Sequence, residues 1–257
     1  MAADIVPALL EAIEIGYRGR MEVDKRLIQV DNRIRDGTAT LADGHTYAER
    51  LGVALSNALL SEIRPDTLPN GELYFNIANR VIPVFLRDIY DSVNLAAADI
   101  QHSIDKRSGI GINPAKAGFP QKRIDGLIDK LTDQEEVLED RLRWLDEPIV
   151  NNAEAFFDDY IAENAETRAN MGLKTTITRI VAPGCCQWCA ALAGTYEYGD
   201  EPKDVYLRHE YCRCTVTYDS VRGSRDIWSQ DVWSKKQWQS TPEELAARRS
   251  AGLQMRG

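Results

Sequence analysis

Residues 184–214 read GCCQWCAALAGTYEYGDEPKDVYLRHEYCRC and hold all five cysteines of the chain: Cys185, Cys186, Cys189, Cys212 and Cys214. Within the stretch, Cys186-x2-Cys189 is followed by a 19-residue spacer and then by His209-x2-Cys212-x-Cys214. A C-x2-C pair lets two thiolates reach one ion from a single tight turn. The spacer is long enough for a hairpin to bring a second pair back. Four nitrogen and sulfur donors around one ion are what structural zinc prefers. The spacing therefore predicts a structural Zn2+ site ligated by Cys186, Cys189, His209 and Cys212, with Cys214 as the alternative fourth ligand. H-x2-C can close around a turn, which favours Cys212. In a strand, Cys212 and Cys214 would point to the same face, so spacing alone leaves both open. Cys185 is left over. Such a site can hold together a small β region that lacks its own core, because binding free energy becomes folding free energy.

Other uses of the cysteines fit less well. A disulfide framework for a large fold would spread its bridges, and an odd number of cysteines leaves one thiol over. A redox pair at Cys186 and Cys189 belongs at the start of a helix in a βαβ unit, and no such unit is evident. A catalytic Cys–His pair would need an orienting partner and oxyanion donors, and nothing identifies them. The other histidines, His45 and His102, fall in helical stretches and are expected to be packed or solvated.

Outward from this stretch, the chain has 257 residues and a formal net charge of −9. It is long enough to bury a core of its own. No apolar run approaches the roughly 20 residues needed to span a bilayer, so no membrane partner is expected. The start lacks a basic segment ahead of an apolar one, so a signal peptide is not expected and a reducing compartment is. The charge is uneven: residues 221–257 carry +3 and residues 1–220 carry −12. An acidic body argues against a protein that coats nucleic acid with its whole surface.

The first two thirds read as helices. Residues 4–35 carry apolar positions at helical spacing up to Gly37. Thr46 and Glu49 form the pattern of a capping box opening a helix that must end by Pro65. Residues 72–104 carry an apolar stripe, and Pro83 within it predicts a kink or a break. Residues 108–121, with three glycines and two prolines, predict a loop. Thr132 and Glu135 predict a split in the next helical stretch, and the acidic run at 133–140 reads as a solvated helix face. Pro148 suits the first turn of a further helix. Near Lys174 the pattern changes: TTITRIVA, GTYEY and TVTY are rich in β-branched residues and predict short strands around the cysteines. The tail holds Trp228, Trp233 and Trp238, which anchor it as a docking strap, and Thr241 to Glu244 look like a short capped helix.

The C-x2-C pair, the Leu192-Ala193-Gly194 segment and the R-H-x2-C-x-C ending resemble the zinc-motif domain of tailed-phage minor capsid proteins, the head-morphogenesis proteins of the phage Mu F type. The resemblance covers residues 168–218. It implies an α+β fold for the C-terminal part and a virion component bound at the portal or inner shell, acting in head assembly or genome delivery. Portal protein and major capsid protein are the implied partners. The tail after residue 220 offers a contact for packaged DNA. Only 39 residues follow Tyr218, too few for the toxin domain that some relatives carry, so a structural role without enzyme activity is expected. Alternatives are a thiol or redox enzyme using Cys186 and Cys189, or a DNA-contacting module working through the basic tail. The expected architecture is a mainly α N-terminal region (1–170), a small α+β zinc-stapled domain (171–220) and an extended tail (221–257).

Overall fold

The structure is a computed structural model that describes residues 4–221. The expectations for the tryptophan-bearing strap and its short terminal helix lie outside the described residues.

The chain begins with α1 (Val6–Val23) and α2 (Lys25–Arg35). The helical spacing expected over residues 4–35 is thus carried by two helices. Asp24 stands between them in an extended conformation, and its carboxylate accepts the backbone N–H groups of Arg26 and Leu27, capping α2. Next comes α3 (Leu41–Glu62). It opens six residues earlier than the Thr46 capping box predicts. Thr40 and Asp43 cap it reciprocally, and Thr46 lies inside the helix with its hydroxyl donating to Ala42 O at 3.4 Å. An Asp in place of the usual Glu or Gln hid the true box.

The long helix α4 (Phe75–Ser108) continues through Pro83. The break considered for Pro83 does not occur. Val81, Ile82, Phe85 and Leu86 around it are all buried, and their packing carries the helix through. Residues 110–120 form the expected loop. Then follow α5 (Gln121–Leu131), α6 (Leu138–Arg141) and α7 (Glu147–Asn170). The split falls at Thr132, as expected, although the Thr132 hydroxyl donates back to Ile128 O and no capping box forms. Most of the acidic run lies in exposed turns between α5 and α6. Pro148 sits in the first turn of α7. Among the described residues, no helix is long and apolar enough to cross a membrane.

The centre of the molecule is the packing of α3 on α7, flanked by α1 and α4. Leu51, Leu55 and Leu59 of α3 and Phe156, Phe157 and Ile161 of α7 are fully enclosed. Each such side chain contributes about 1.5–3 kcal/mol of burial. Two glycines permit the approach. A Cβ on Gly52 would lie 2.8 Å from the Cα of Val150, and one on Gly44 would lie 2.1 Å from the ring of Phe157. Backbone and ring fill the space where side chains would stand.

After a turn at Gly172 come β1 (Lys174–Ile180), α8 (Gln187–Ala191), β2 (Gly194–Glu197) and β3 (Thr215–Val221). All three expected strands are present. The sheet order is β2-β1-β3, antiparallel throughout, with Ile177 opposite both Tyr196 and Tyr218. Alternation in β1 turns Thr175, Ile177 and Arg179 inward. That face packs on α7, and Ile177, Val205, Val216 and Tyr218 join the same apolar cluster as the helices. The Tyr218 hydroxyl donates to Gln101 Oε1 of α4 at 2.6 Å. The structure is thus mainly helical, with a small antiparallel sheet near its C-terminal end that shares the core of the helices.

Candidate metal centre

The loops that leave this sheet carry the cysteines. Cys186 is the N-cap of α8, and its Sγ accepts the backbone N–H of Cys189 at 3.4 Å. One turn of helix therefore turns Cys186 and Cys189 toward a common point. The long connection from β2 returns to His209, and a turn in which Cys212 N–H donates to His209 O at 3.1 Å brings in the second cysteine pair. Within that turn Tyr211 adopts a left-handed conformation, φ 58°. A bulky residue there is uncommon, and the conformation is held by what flanks it.

The donor atoms converge. His209 Nε2 lies 3.2 Å from Cys186 Sγ and 3.1 Å from Cys189 Sγ. Cys189 Sγ lies 3.7 Å from Cys212 Sγ. Two groups, one of Cys186, Cys189 and His209 and the other of Cys189, Cys212 and Cys214, each fall within 4.8 Å and share Cys189. Two sulfurs bound at about 2.3 Å to one tetrahedral ion stand about 3.8 Å apart, so the Cys189–Cys212 separation fits. His209 Nδ1–H donates to the Glu210 carbonyl at 2.6 Å, which leaves the Nε2 lone pair facing the sulfurs. Metal-bound histidines use this kind of second hydrogen bond to fix their ring. Cys189, Cys212 and Cys214 are buried, His209 is half-buried and Cys186 is exposed. Cys185 packs beside the cluster.

The protonation states of the thiols divide. The Cys189 N–H holds the Cys186 thiol below its ordinary range. Burial pushes Cys189 up, to about 12. An ion at the centre would have to displace that proton, as thiolate ligation always requires.

Around the cluster lies a second tier of residues. Arg208, next to His209, donates to Asp158 and Glu154 of α7, to Cys212 O at 3.3 Å and to His45 Nδ1 at 3.0 Å. With Nδ1 accepting, the His45 proton sits on Nε2, which donates to Val216 O at 2.6 Å. Burial, aided by Arg208, holds His45 down to about 4, so its ring is neutral. Arg213, between Cys212 and Cys214, pairs with Glu147 at 2.5 and 2.9 Å and with Glu154 at 3.4 Å. Burial pushes Glu154 up to about 8 against the pull of Arg208 and Arg213. The loop that carries His209, Cys212 and Cys214 is therefore bolted to the acidic face of α7. Sequence reasoning missed this tier. Arg208 and Arg213 stood inside the motif itself, and Arg179 stood at an inward position of a predicted strand. The acidic partners of Arg208 and Arg213 on α7, 50 to 66 residues away, had no local signal.

In comparisons with known proteins, no family model matches this chain, and neither does any curated sequence or solved structure. The geometry places Cys186, Cys189 and His209 in one group and Cys189, Cys212 and Cys214 in a second, so that Cys189 joins the two halves of the motif predicted from spacing.

Proposed function

We propose that Cys186, Cys189, His209 and Cys212 hold one structural zinc ion, and that the protein serves a tailed phage as a minor capsid, head-morphogenesis component without enzyme activity. The observation that carries the metal reading is that two three-donor groups, Cys186–Cys189–His209 and Cys189–Cys212–Cys214, meet at the Cys189 sulfur, which lies 3.1 Å from His209 Nε2 and 3.7 Å from Cys212 Sγ. When bound, zinc supplies folding free energy to the loops between β1 and β3. The phage reading rests on the order and spacing of the motif, with the helical body as its docking surface. Portal protein or major capsid protein would be its partner, in the virion, and the basic tail would meet packaged DNA.

Metal analysis of the purified chain tests the first half: one zinc per chain is expected, and a metal-free folded protein sinks it. Labelling the protein in intact particles tests the second. Density at the portal vertex or inner shell is expected, and particles that lack the protein exclude it.

One observation favours a thiol enzyme as a second reading: Cys186 is exposed, caps a helix and has a lowered pKa. Alkylation separates the two. A structural site reacts slowly until a chelator is added, whereas a reactive thiol is modified at once.

A further inference from the structure

Four arginines among the described residues have side chains almost wholly withdrawn from solvent: Arg141, Arg168, Arg179 and Arg208. Three of them face carboxylates. Arg141 meets Glu72, Arg168 meets Asp105, and Arg208 meets Asp158 and Glu154. Arg179 has no carboxylate within 4 Å among the described residues. Its Nη1 donates to the Val205 carbonyl and its Nε has no hydrogen-bond partner. Its Nη2 donates to Cys189 Sγ at 3.6 Å and to Cys212 Sγ at 3.7 Å. The guanidinium also lies 5.6 Å from the centre of the Trp188 ring, which shields it.

A guanidinium stays charged in proteins, and a buried charge without a counter-charge is strongly disfavoured. The two sulfurs are the groups on hand to supply that counter-charge. A centre of three thiolates, one neutral imidazole and a divalent ion carries a net charge of −1, which one arginine balances. A second divalent cation at Cys212 would stand beside the guanidinium and be repelled by it.

We infer that Arg179 is a positioning residue of the metal centre: its guanidinium is the built-in counter-charge of Cys189 and Cys212, selects Cys212 over Cys214 as the fourth ligand, and limits the site to one ion. The inference rests on the metal reading above and adds to it a reason for the five cysteines and His209 to hold one ion rather than two. β1 supplies this charge to sulfurs 10 and 33 residues further along the chain, so the sheet and the metal centre are built as one unit.

Cobalt titration of the full chain, in competition with a chelator, tests the inference. Wild-type protein is expected to bind one cobalt ion with a sulfur-to-cobalt charge-transfer band. Arg179→Met, which removes the charge but keeps much of the length, is expected to weaken binding 10–100-fold. Arg179→Lys, which restores the charge, is expected to recover most of the loss. Cys212→Ser is expected to lower the band by about a third, as one of three thiolates is lost, while Cys214→Ser leaves it unchanged. Wild-type affinity in Arg179→Met, two ions per chain, or a band lost with Cys214 and kept without Cys212 would each overturn the inference. If Arg179→Met does not fold, the unmutated chain answers through its arginine side-chain N–H signals in NMR spectra. A protected Arg179 signal that shifts on metal addition supports the inference, and one that is unaffected overturns it. Failure of the wild type to bind cobalt removes the metal reading itself, before any variant is compared.

Discussion

The Arg208 guanidinium makes two hydrogen bonds to the Asp158 carboxylate, one of them at 3.1 Å, with both side chains almost wholly buried. Arg208 precedes His209 of the candidate metal centre and Asp158 lies in the middle of α7, so this pair joins the loop to the helical body. Removing one member of a buried pair leaves the other charge uncompensated. Asp158→Ala is expected to cost about 3 kcal/mol in urea unfolding and to weaken metal binding. Glu14→Ala, which breaks the exposed pair with Arg18, is expected to cost less than about 1 kcal/mol. Equal effects from the two variants would mean that the loop is not held through Arg208.

Metal removal is expected to act locally. The inner face of the sheet is packed into the helical core, so α3, α4 and α7 keep their apolar contacts without the ion. Between Cys186 and Cys214, β2 pairs with β1 and Val205 joins that core, but the cysteines form a small cluster apart from it. Treatment with a chelator should raise amide exchange at 185–192 and 209–214 well above that of the helices and of β2. Uniform exchange along the chain would show that the centre supports the whole fold.

The glycines of α3 give a packing test. Gly52→Ala sets a methyl against the Val150 backbone, and such overpacking is expected to destabilise by about 1–3 kcal/mol. Gly126 in α5 is exposed, and a methyl group added there would meet nothing within 4 Å. Gly126→Ala should therefore stabilise, by about 0.5–1 kcal/mol, through helix propensity alone. Thermal unfolding of the two variants decides it, and shifts of the same sign would contradict the close α3–α7 approach.

His45 predicts a pH effect. Burial lowers its pKa from 6.5 to about 4, so the folded chain favours the neutral ring. The contribution is complete above pH 6.5 and is lost as the pH falls toward 4, at about 1.4 kcal/mol per pH unit. His45→Gln lacks this titration. The stability advantage of wild type over the variant should therefore shrink by about 3 kcal/mol between pH 6.5 and 4. The metal-site groups titrate in both chains and cancel in the difference. A constant difference would show that His45 is not held neutral.

Much of this molecule was legible from local chemistry. The strands at TTITRIVA, GTYEY and TVTY, the loop after α4 and Pro148 at the start of α7 all follow from residue type and spacing, since each depends on neighbours a few positions away. The crowding of Cys186, Cys189 and His209, and of Cys212 and Cys214 with Cys189, was legible for the same reason. Two short motifs each close around their own turn. The errors share a cause as well. Asp24 ends one helix because its side chain caps the next and pairs with Arg50 of α3, at 2.5 and 2.7 Å. Pro83 failed to break α4 because tertiary packing on both sides of it outweighed the lost hydrogen bond.

By itself, the sequence determined the helical character of the body, the short strands and the crowding of the cysteines with His209, because those are properties of spacing. The tertiary structure alone decided that β1 is inserted against α7, that Arg179 reaches the sulfurs of Cys189 and Cys212, and that Arg208 and Arg213 find Glu147, Glu154 and Asp158. Charges buried together from distant parts of the chain leave no periodic trace. They are paired only because the core excludes the water that would otherwise solvate them.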